Sequence, residues 1–470
     1  MSQPSTRVHA FTDDALGEHD AVGLAAELKA GRVSRSEVVE AAVARIEQVN
    51  PRLHAVAVDA FDRAREESWR KGGGFFAGVP AMIKDNVDVA GLPTNQGTPA
   101  FVGRPKAANG DFADMFLQTG VIPLGKTRLS EFGFSASAEY LEQDPVRNPW
   151  HTDFSSGASS AGSAALVAAG AVPIAHANDG GGSIRIPAAA CGLVGLKPTR
   201  GRVAQDKMMR EMPVRIVADG VVTRSVRDTA AFLREAERIH RNLRLRPVGD
   251  VTGPGRKRLK VAMVVDSVTR KTDAECARVV RETAELLESL GHRVEEISAP
   301  VSPKFEGDFL TYWSTLALFM TMTGKRTLDP SFDRTKVDNL TKGLAAHARR
   351  TALRLPAAIA RLNASHRASR RVYDDYDVAL SPVLAHETPR LGHLDPSQPY
   401  EVIIERLMDW VAFTPLQNAT GEPAISLPMG AGPNGLPIGV QIGGVRGSEA
   451  RLLEVAYELE QARGFRRIQD

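Results

Sequence analysis

Three consecutive glycines, Gly180-Gly181-Gly182, run directly into Ser183. Without a Cβ, glycine reaches backbone angles closed to other residues, so this run can turn tightly enough to aim several N–H groups at one point. An oxyanion hole requires that convergence, and loss of one donor typically costs about 3 kcal/mol of transition-state stabilisation. Ser183, at the end of the turn, is placed as a nucleophile that needs a base. His176 is the only histidine close by in sequence, and nothing points to a partner that would complete a histidine triad. A lysine can serve instead, provided burial keeps it neutral. Lys84 closes the apolar run Phe76-Ala77-Gly78-Val79-Pro80-Ala81-Met82-Ile83, which reads as a short buried strand delivering it into a turn.

A second small-residue run is Gly157-Ala158-Ser159-Ser160-Ala161-Gly162-Ser163. Its glycine gap fits a phosphate-binding loop, but Ser163 stands where a lysine should follow, so nucleotide phosphates would lose their charge partner. Around Ser159 the flanking positions are Gly157 and Ala161, one glycine short of a lipase-type nucleophile elbow.

The surrounding pattern is α/β. Helical spacing covers Asp20 to Lys29, and Ser34 with Glu37 forms a capping box for a second helix expected to stop at Asn50-Pro51. Strands are expected at 121–126, 172–175, 193–199 (this one buried), 259–265 and 293–297, with helices over 163–169, 228–241 and about 305–375. The stretch Pro247 to Arg258 reads as a linker, yet strand–helix–strand alternation continues on both sides of it. That favours one large domain over 1–470 with a mostly buried sheet. Asp377 to Pro382 and Ala424 to Pro428 look like strands whose ends meet a shared crevice.

Several function classes are set aside by composition. A formal charge of +3 is too weak to demand nucleic acid. The arginines at 349, 350, 354, 361, 367, 370 and 371 spread around a helical wheel and read as a solvated face. Cys191 and Cys276 make neither a disulfide framework nor a metal site, and Cys191 reads as a buried structural thiol. His386-Glu387 is no zinc helix, because Arg390 occupies the position of the second histidine. The apolar stretch Ala164 to Ala175 is broken by Gly170 and Pro173 and falls short of the ~20 residues that span a bilayer. Met1 to Arg7 lacks the apolar run of a leader, so a cytoplasmic chain without membrane contact is expected.

Taken together, these runs resemble the amidase-signature family, hydrolases with a Ser–cisSer–Lys triad. The match comprises Gly78-Val79-Pro80-Ala81-Met82-Ile83-Lys84-Asp85, Arg147-Asn148-Pro149-Trp150, residues 157–163, Asp179 to Pro187, and Cys191 to Thr199. It is strong over about 20–230 and weaker at Gly421 to Pro428. The resemblance implies a mixed central β-sheet covered by helices on both faces, with a 20–230 signature core, a variable substrate-side region over 231–410, and a closing segment over 411–470. It implies that Ser183 is the nucleophile and that Ser159, after a cis peptide bond, bridges Ser183 to the proton acceptor Lys84. The N–H groups of Gly180, Gly181, Gly182 and Ser183 would form the oxyanion hole. Asp179 and Arg185 would fix that loop, and Ser160 would join the network. Phe132, Gly133, Phe134 and Ser135 would contact substrate. The family has Gly where Ala158 and Ala161 stand, and small alanines should leave the cis bond intact.

No cofactor and no metal are expected, the partner is a small-molecule amide, and a homodimer is allowed. His176-Ala177-Asn178 before Asp179-Gly180-Gly181-Gly182 resembles bacterial amidases of the 6-aminohexanoate cyclic-dimer hydrolase type, without fixing the acyl group. A glutamine-amidotransferase A-type subunit is the alternative. However, its Ser-Leu-Asp-Gln-x-Gly-Pro segment is replaced by Arg215-Ile216-Val217-Ala218-Asp219-Gly220-Val221, and its long tRNA-oriented tail is missing. A non-catalytic binding protein would have lost one of the three reactive residues, and all are present.

Overall fold

The computed structural model describes residues 6–70 and 72–470. Among them the strands are, in chain order, β1 (Val56–Asp59), β2 (Pro80–Lys84), β3 (Ile122–Thr127), β4 (Arg147–Asn148), β5 (His151–Ser155), β6 (Ile174–Asp179), β7 (Val194–Lys197), β8 (Ala218–Thr223), β9 (Lys260–Met263), β10 (Arg293–Glu296), β11 (Val378–Pro382), β12 (Ala424–Ala431) and β13 (Pro437–Gly443). Apart from the β4–β5 ribbon they form one 11-stranded sheet in the order β1-β3-β2-β6-β8-β7-β12-β13-β11-β9-β10. It is mixed. β2 pairs in parallel with β3 and β6, and β9 with β10 and β11, while β6–β8, β7–β8, β7–β12 and β12–β13 are antiparallel.

Every residue of β2, β3, β6, β7, β8 and β13 is buried. Strands covered on both faces carry near-continuous apolar or small residues rather than alternation, as Pro80-Ala81-Met82-Ile83 does. The sheet crosses the expected linker, since β8 precedes Pro247 and β9 follows Arg258. That segment is a largely exposed connection, with strands of the same sheet on either side of it.

Local structure follows the sequence with a few corrections. Ser34 and Glu37 close their capping box, ahead of the helix Arg35–Leu53. The helix passes through Pro51 instead of stopping there. Proline removes one backbone hydrogen bond, here in the last turn, and Asn50 Oδ1 ties the exit by accepting from Ala55 and Val56 N–H at 2.8 and 3.0 Å. The helix expected over 163–169 begins earlier, as Ala161–Ala168, and the strand expected over 172–175 is β6, running on to Asp179. β1, β8, β13 and the helix Arg185–Cys191 were not anticipated from the pattern. The 305–375 region resolves into helices Phe305–Thr327, Asn339–Thr351 and Leu355–Asp375. Its arginines are exposed, and Arg361 grips Asp308 through two hydrogen bonds of 2.6 and 2.5 Å. Both cysteines are buried and free. No helix among the described residues is long and apolar enough to cross a membrane.

One buried ion pair joins the last helix to the turn after β7. Glu449, fully buried, accepts from Thr199 N–H at 2.8 Å and from Arg202 Nε and Nη2 at 3.1 and 2.8 Å. Without Glu449 the buried Arg202 keeps Glu237 as a carboxylate partner at 2.8 Å, but it loses two hydrogen bonds and the Thr199 N–H is left unpaired. Glu449→Ala is therefore expected to lower unfolding free energy by about 1.5–3 kcal/mol, read from the urea midpoint. A change below about 1 kcal/mol would mean that water replaces the carboxylate.

Candidate active site

Lys84 is the last residue of β2, and its side chain is fully buried. Nζ lies 2.7 Å from Ser159 Oγ, 2.6 Å from Asn178 Oδ1 and 3.5 Å from the Asn178 carbonyl oxygen. All three neighbours are uncharged. Burial pulls the Lys84 pKa down to about 7, with the carboxylates of Asp219 and Asp179 opposing. A lysine free of direct carboxylate contact in a dry site becomes a base near neutral pH. Asn178 sits on β6 and is oriented by Asn86 through reciprocal amide bonds of 3.2 and 3.0 Å. His176, two residues earlier on the same strand, accepts the Lys84 backbone N–H through Nδ1 at 3.2 Å. That leaves its Nε2–H to donate to Asp219 Oδ1 at 3.3 Å. Burial lowers the His176 pKa. The ring is a neutral strap between β2 and β8.

Ser159 follows the Ala158–Ser159 peptide bond, which is cis, as expected. Ser160 Oγ donates to the Asn178 carbonyl at 3.3 Å. Ser159 and Ser160 immediately precede the helix Ala161–Ala168, which leaves the Ser159 hydroxyl facing Lys84.

The glycine loop hangs from Asp179 at the end of β6. Asp179 Oδ1 accepts the Gly182 N–H at 2.7 Å and Oδ2 accepts the Ile184 N–H at 3.3 Å. Burial alone would raise this carboxyl. The Arg185 guanidinium, bonded to it at 2.9 and 3.0 Å, outweighs burial and holds it below the usual carboxylate range. Arg185 also donates to Gln417 Oε1, Gln441 Oε1, the Thr414 carbonyl and Asn418 Oδ1 at 2.8–3.0 Å. Asn418 Nδ2 returns to the Asp179 backbone and carboxylate oxygens, each at 2.8 Å. Gly182 has φ 136°, and a Cβ there would stand 2.3 Å from Thr414 Oγ1. Glycine is obligatory at that point.

This geometry corrects the expected oxyanion hole at one position. The Gly182 N–H is committed to Asp179, whereas Gly180, Gly181 and Ser183 N–H have no hydrogen-bond acceptor among the described residues. The Ser183 hydroxyl also makes no hydrogen bond there; Ser183 is 7% exposed and lines a cavity. The expected Ser159–Ser183 hydrogen bond is thus not formed among the described residues. Catalytic hydrogen bonds of empty sites are often long and tighten only with substrate in place.

The cavity has a volume of about 180 Å³. Gly133, Phe134 and Ser135 line it, but Phe132 does not. The turn at Phe132 has φ 50°, and its ring packs 6.4 Å from that of Phe332. Phe305, Phe309 and Trp313 form one wall from a single helix, with ring centroids 6.0 and 5.9 Å apart. Trp313 meets Phe134 edge-on at 5.5 Å. Glu306 is the one charged lining residue, and it is engaged by Arg270 at 3.2 Å. No group of three or more potential metal ligands occurs among the described residues.

The sequence reading missed the supports: Asn86 and Asn178 on the lysine, and Thr414, Gln417, Asn418 and Gln441 on the loop. Asn178 was within reach, since it stands two residues from His176 and so on the same face of an extended strand.

Comparison with known proteins converges on one family. The Amidase family model matches residues 37–453. A Mycobacterium leprae protein named "Putative amidase AmiC" is 56% identical over 464 residues, spanning 98% of this chain and 99% of its own length. The 6-aminohexanoate-cyclic-dimer hydrolase of Paenarthrobacter ureafaciens is 34% identical over 94% of both chains. A solved structure of 6-aminohexanoate cyclic dimer hydrolase complexed with substrate superposes with TM-score 0.88 at 31% identity, covering 96% of this chain and 99% of that one. With a buried lysine against a serine, a glycine loop ending in a second serine, and these relatives along nearly its whole length, the chain belongs to the amidase family and hydrolyses non-peptide carboxamide C–N bonds.

Proposed function

We propose that Ser183 is the nucleophile, Lys84 the proton acceptor and Ser159 the relay between them. The observation that carries this reading is the 2.7 Å approach of Lys84 Nζ to Ser159 Oγ at a fully buried site. In the neutral amine, the Nζ lone pair accepts the Ser159 proton as Ser159 Oγ takes the proton of Ser183. The Ser183 oxygen then bonds to the substrate carbonyl carbon, and the carbonyl π pair moves onto oxygen. The free N–H groups of Gly180, Gly181 and Ser183 face that developing charge. As the tetrahedral intermediate collapses, the C–N bond breaks and the proton returns through Ser159 to nitrogen. Water then attacks the acyl-enzyme by the same relay, releasing the carboxylate and restoring Ser183.

The apolar wall and the engaged Glu306 support an uncharged substrate with an apolar or aromatic portion stacked on Phe309 and Trp313. An amide carrying its own charge would be desolvated there without a partner. The cyclic amide in the name of the P. ureafaciens relative fits that class. Two free buried thiols support a reducing cytoplasmic setting.

A base with a pKa of about 7 acts only when deprotonated, so protonation below that value removes it. The kcat/KM for an anilide is expected to rise roughly tenfold per pH unit below that value and to level off above it. A flat profile, or one falling with pH, would eliminate Lys84 as the acceptor.

A further inference from the structure

The cavity also carries hydrogen-bond donors that the chemistry above does not use. Tyr373, on the helix Leu355–Asp375, and Gln417, on the helix Pro415–Thr420, both line it. Tyr373 Oη has no hydrogen-bond partner among the described residues. Burial and the nearby charge of Glu422 raise its pKa well above that of an ordinary phenol, so the proton stays on. Gln417 is 8% exposed. Its Oε1 accepts from Arg185 at 2.9 Å, which fixes the amide so that Nε2, with no partner of its own, faces the cavity.

The two donors converge. Oη and Nε2 lie 3.2 and 3.7 Å from the point where a Cβ on Gly443 would stand. Gly443 ends β13 without a left-handed φ, so its backbone does not require glycine. The missing Cβ leaves open the space that both donors address. Ser369, one helical turn before Tyr373, also lines the cavity and donates its own proton to Glu422 Oε2 at 2.6 Å, leaving lone pairs free. Arg185, behind Gln417, already has acceptors on all three of its nitrogens. Two neutral donors and one neutral acceptor, in a cavity whose one charged residue is engaged elsewhere, select a neutral group with a strong oxygen acceptor. A buried donor left unpaired costs more than a hydrogen bond gains, so a ligand lacking that oxygen is disfavoured.

We infer that Tyr373, Gln417 and the open face of Gly443 form a second carbonyl subsite, selecting amides that carry a second, non-reacting amide carbonyl. The inference rests on Ser183 marking the reacting end of the same cavity.

The test uses paired anilides of equal chain length, one series ending in an acetamido group and the other in plain alkyl. Binding is measured by calorimetry on the Ser183→Ala protein, which separates recognition from turnover. At the best length the acetamido member should bind roughly tenfold more tightly, as one or two neutral hydrogen bonds allow. Adding Tyr373→Phe, or Gly443→Ala to fill the space, should bring the ratio close to one. Equal constants at every length, including no binding of either member, overturn the subsite, as does a preference that survives both substitutions. A water molecule alone in this space would give that equality. Turnover of the same anilides by the wild-type protein bears separately on Ser183, so failure of one reading is distinguishable from failure of the other.

Discussion

Ser183→Ala is expected to lower kcat for amide hydrolysis by roughly four to six orders of magnitude while leaving the fold unchanged. Members of a nucleophile–base unit act together, so removing one abolishes nearly all that the unit supplies. The fold should be indifferent because the hydroxyl makes no hydrogen bond within the described residues and faces the cavity. Its removal strands no buried donor or acceptor. The check is steady-state turnover of an anilide beside a thermal melt. Activity above about one per cent of wild type, with the melt unchanged, would remove Ser183 from the mechanism.

Lys84→Ala should separate amides from esters. An amine must be protonated as it leaves, whereas an alkoxide departs with far less help, so loss of the proton carrier falls harder on the amide. General acid–base groups contribute about 10²–10⁴-fold. The amide is expected near the upper end of that range and the matching ester near the lower. The measurement is kcat/KM for both in wild type and variant. Equal losses would mean that Lys84 merely organises Ser159 and Asn178. Because the substitution empties a buried volume, Lys84→Met serves as a second variant that keeps the stem and lacks the amine; the same divergence is expected of it.

The residues of the proposed triad could be singled out because each sits where sequence is least ambiguous. Lys84 ends an apolar strand, and Ser159 and Ser183 stand in runs of residues too small to be chosen for packing. The supports were not legible for an equally physical reason. Arg185 is held by Gln417 and Gln441, more than 230 residues further on, and no local pattern records a contact of that span. β8 and β13 escaped because they lie between other strands and are buried throughout. Asp219 in β8 spends its polarity on His176, and Gly439 in β13 lies where a Cβ would stand 2.5 Å from that of Ala189. Neither position shows the alternation by which a half-exposed strand is recognised. The reading placed all four N–H groups of 180–183 in one hole because it could not see Asp179 folding back onto Gly182.

The grip on Arg185 has a consequence for timing. Lys84, Ser159 and Ser183 are all synthesised before residue 184, yet Thr414, Gln417, Asn418 and Gln441 leave the ribosome more than 200 residues later. Until they arrive, the guanidinium that braces the glycine loop lacks four of its acceptors, and β12 and β13 are absent from the middle of the sheet. On the proposed assignment, a nascent chain is therefore expected to hold Lys84, Ser159 and Ser183 disarmed until its final stretch seats, so chains halted before residue 414 should not cleave amides.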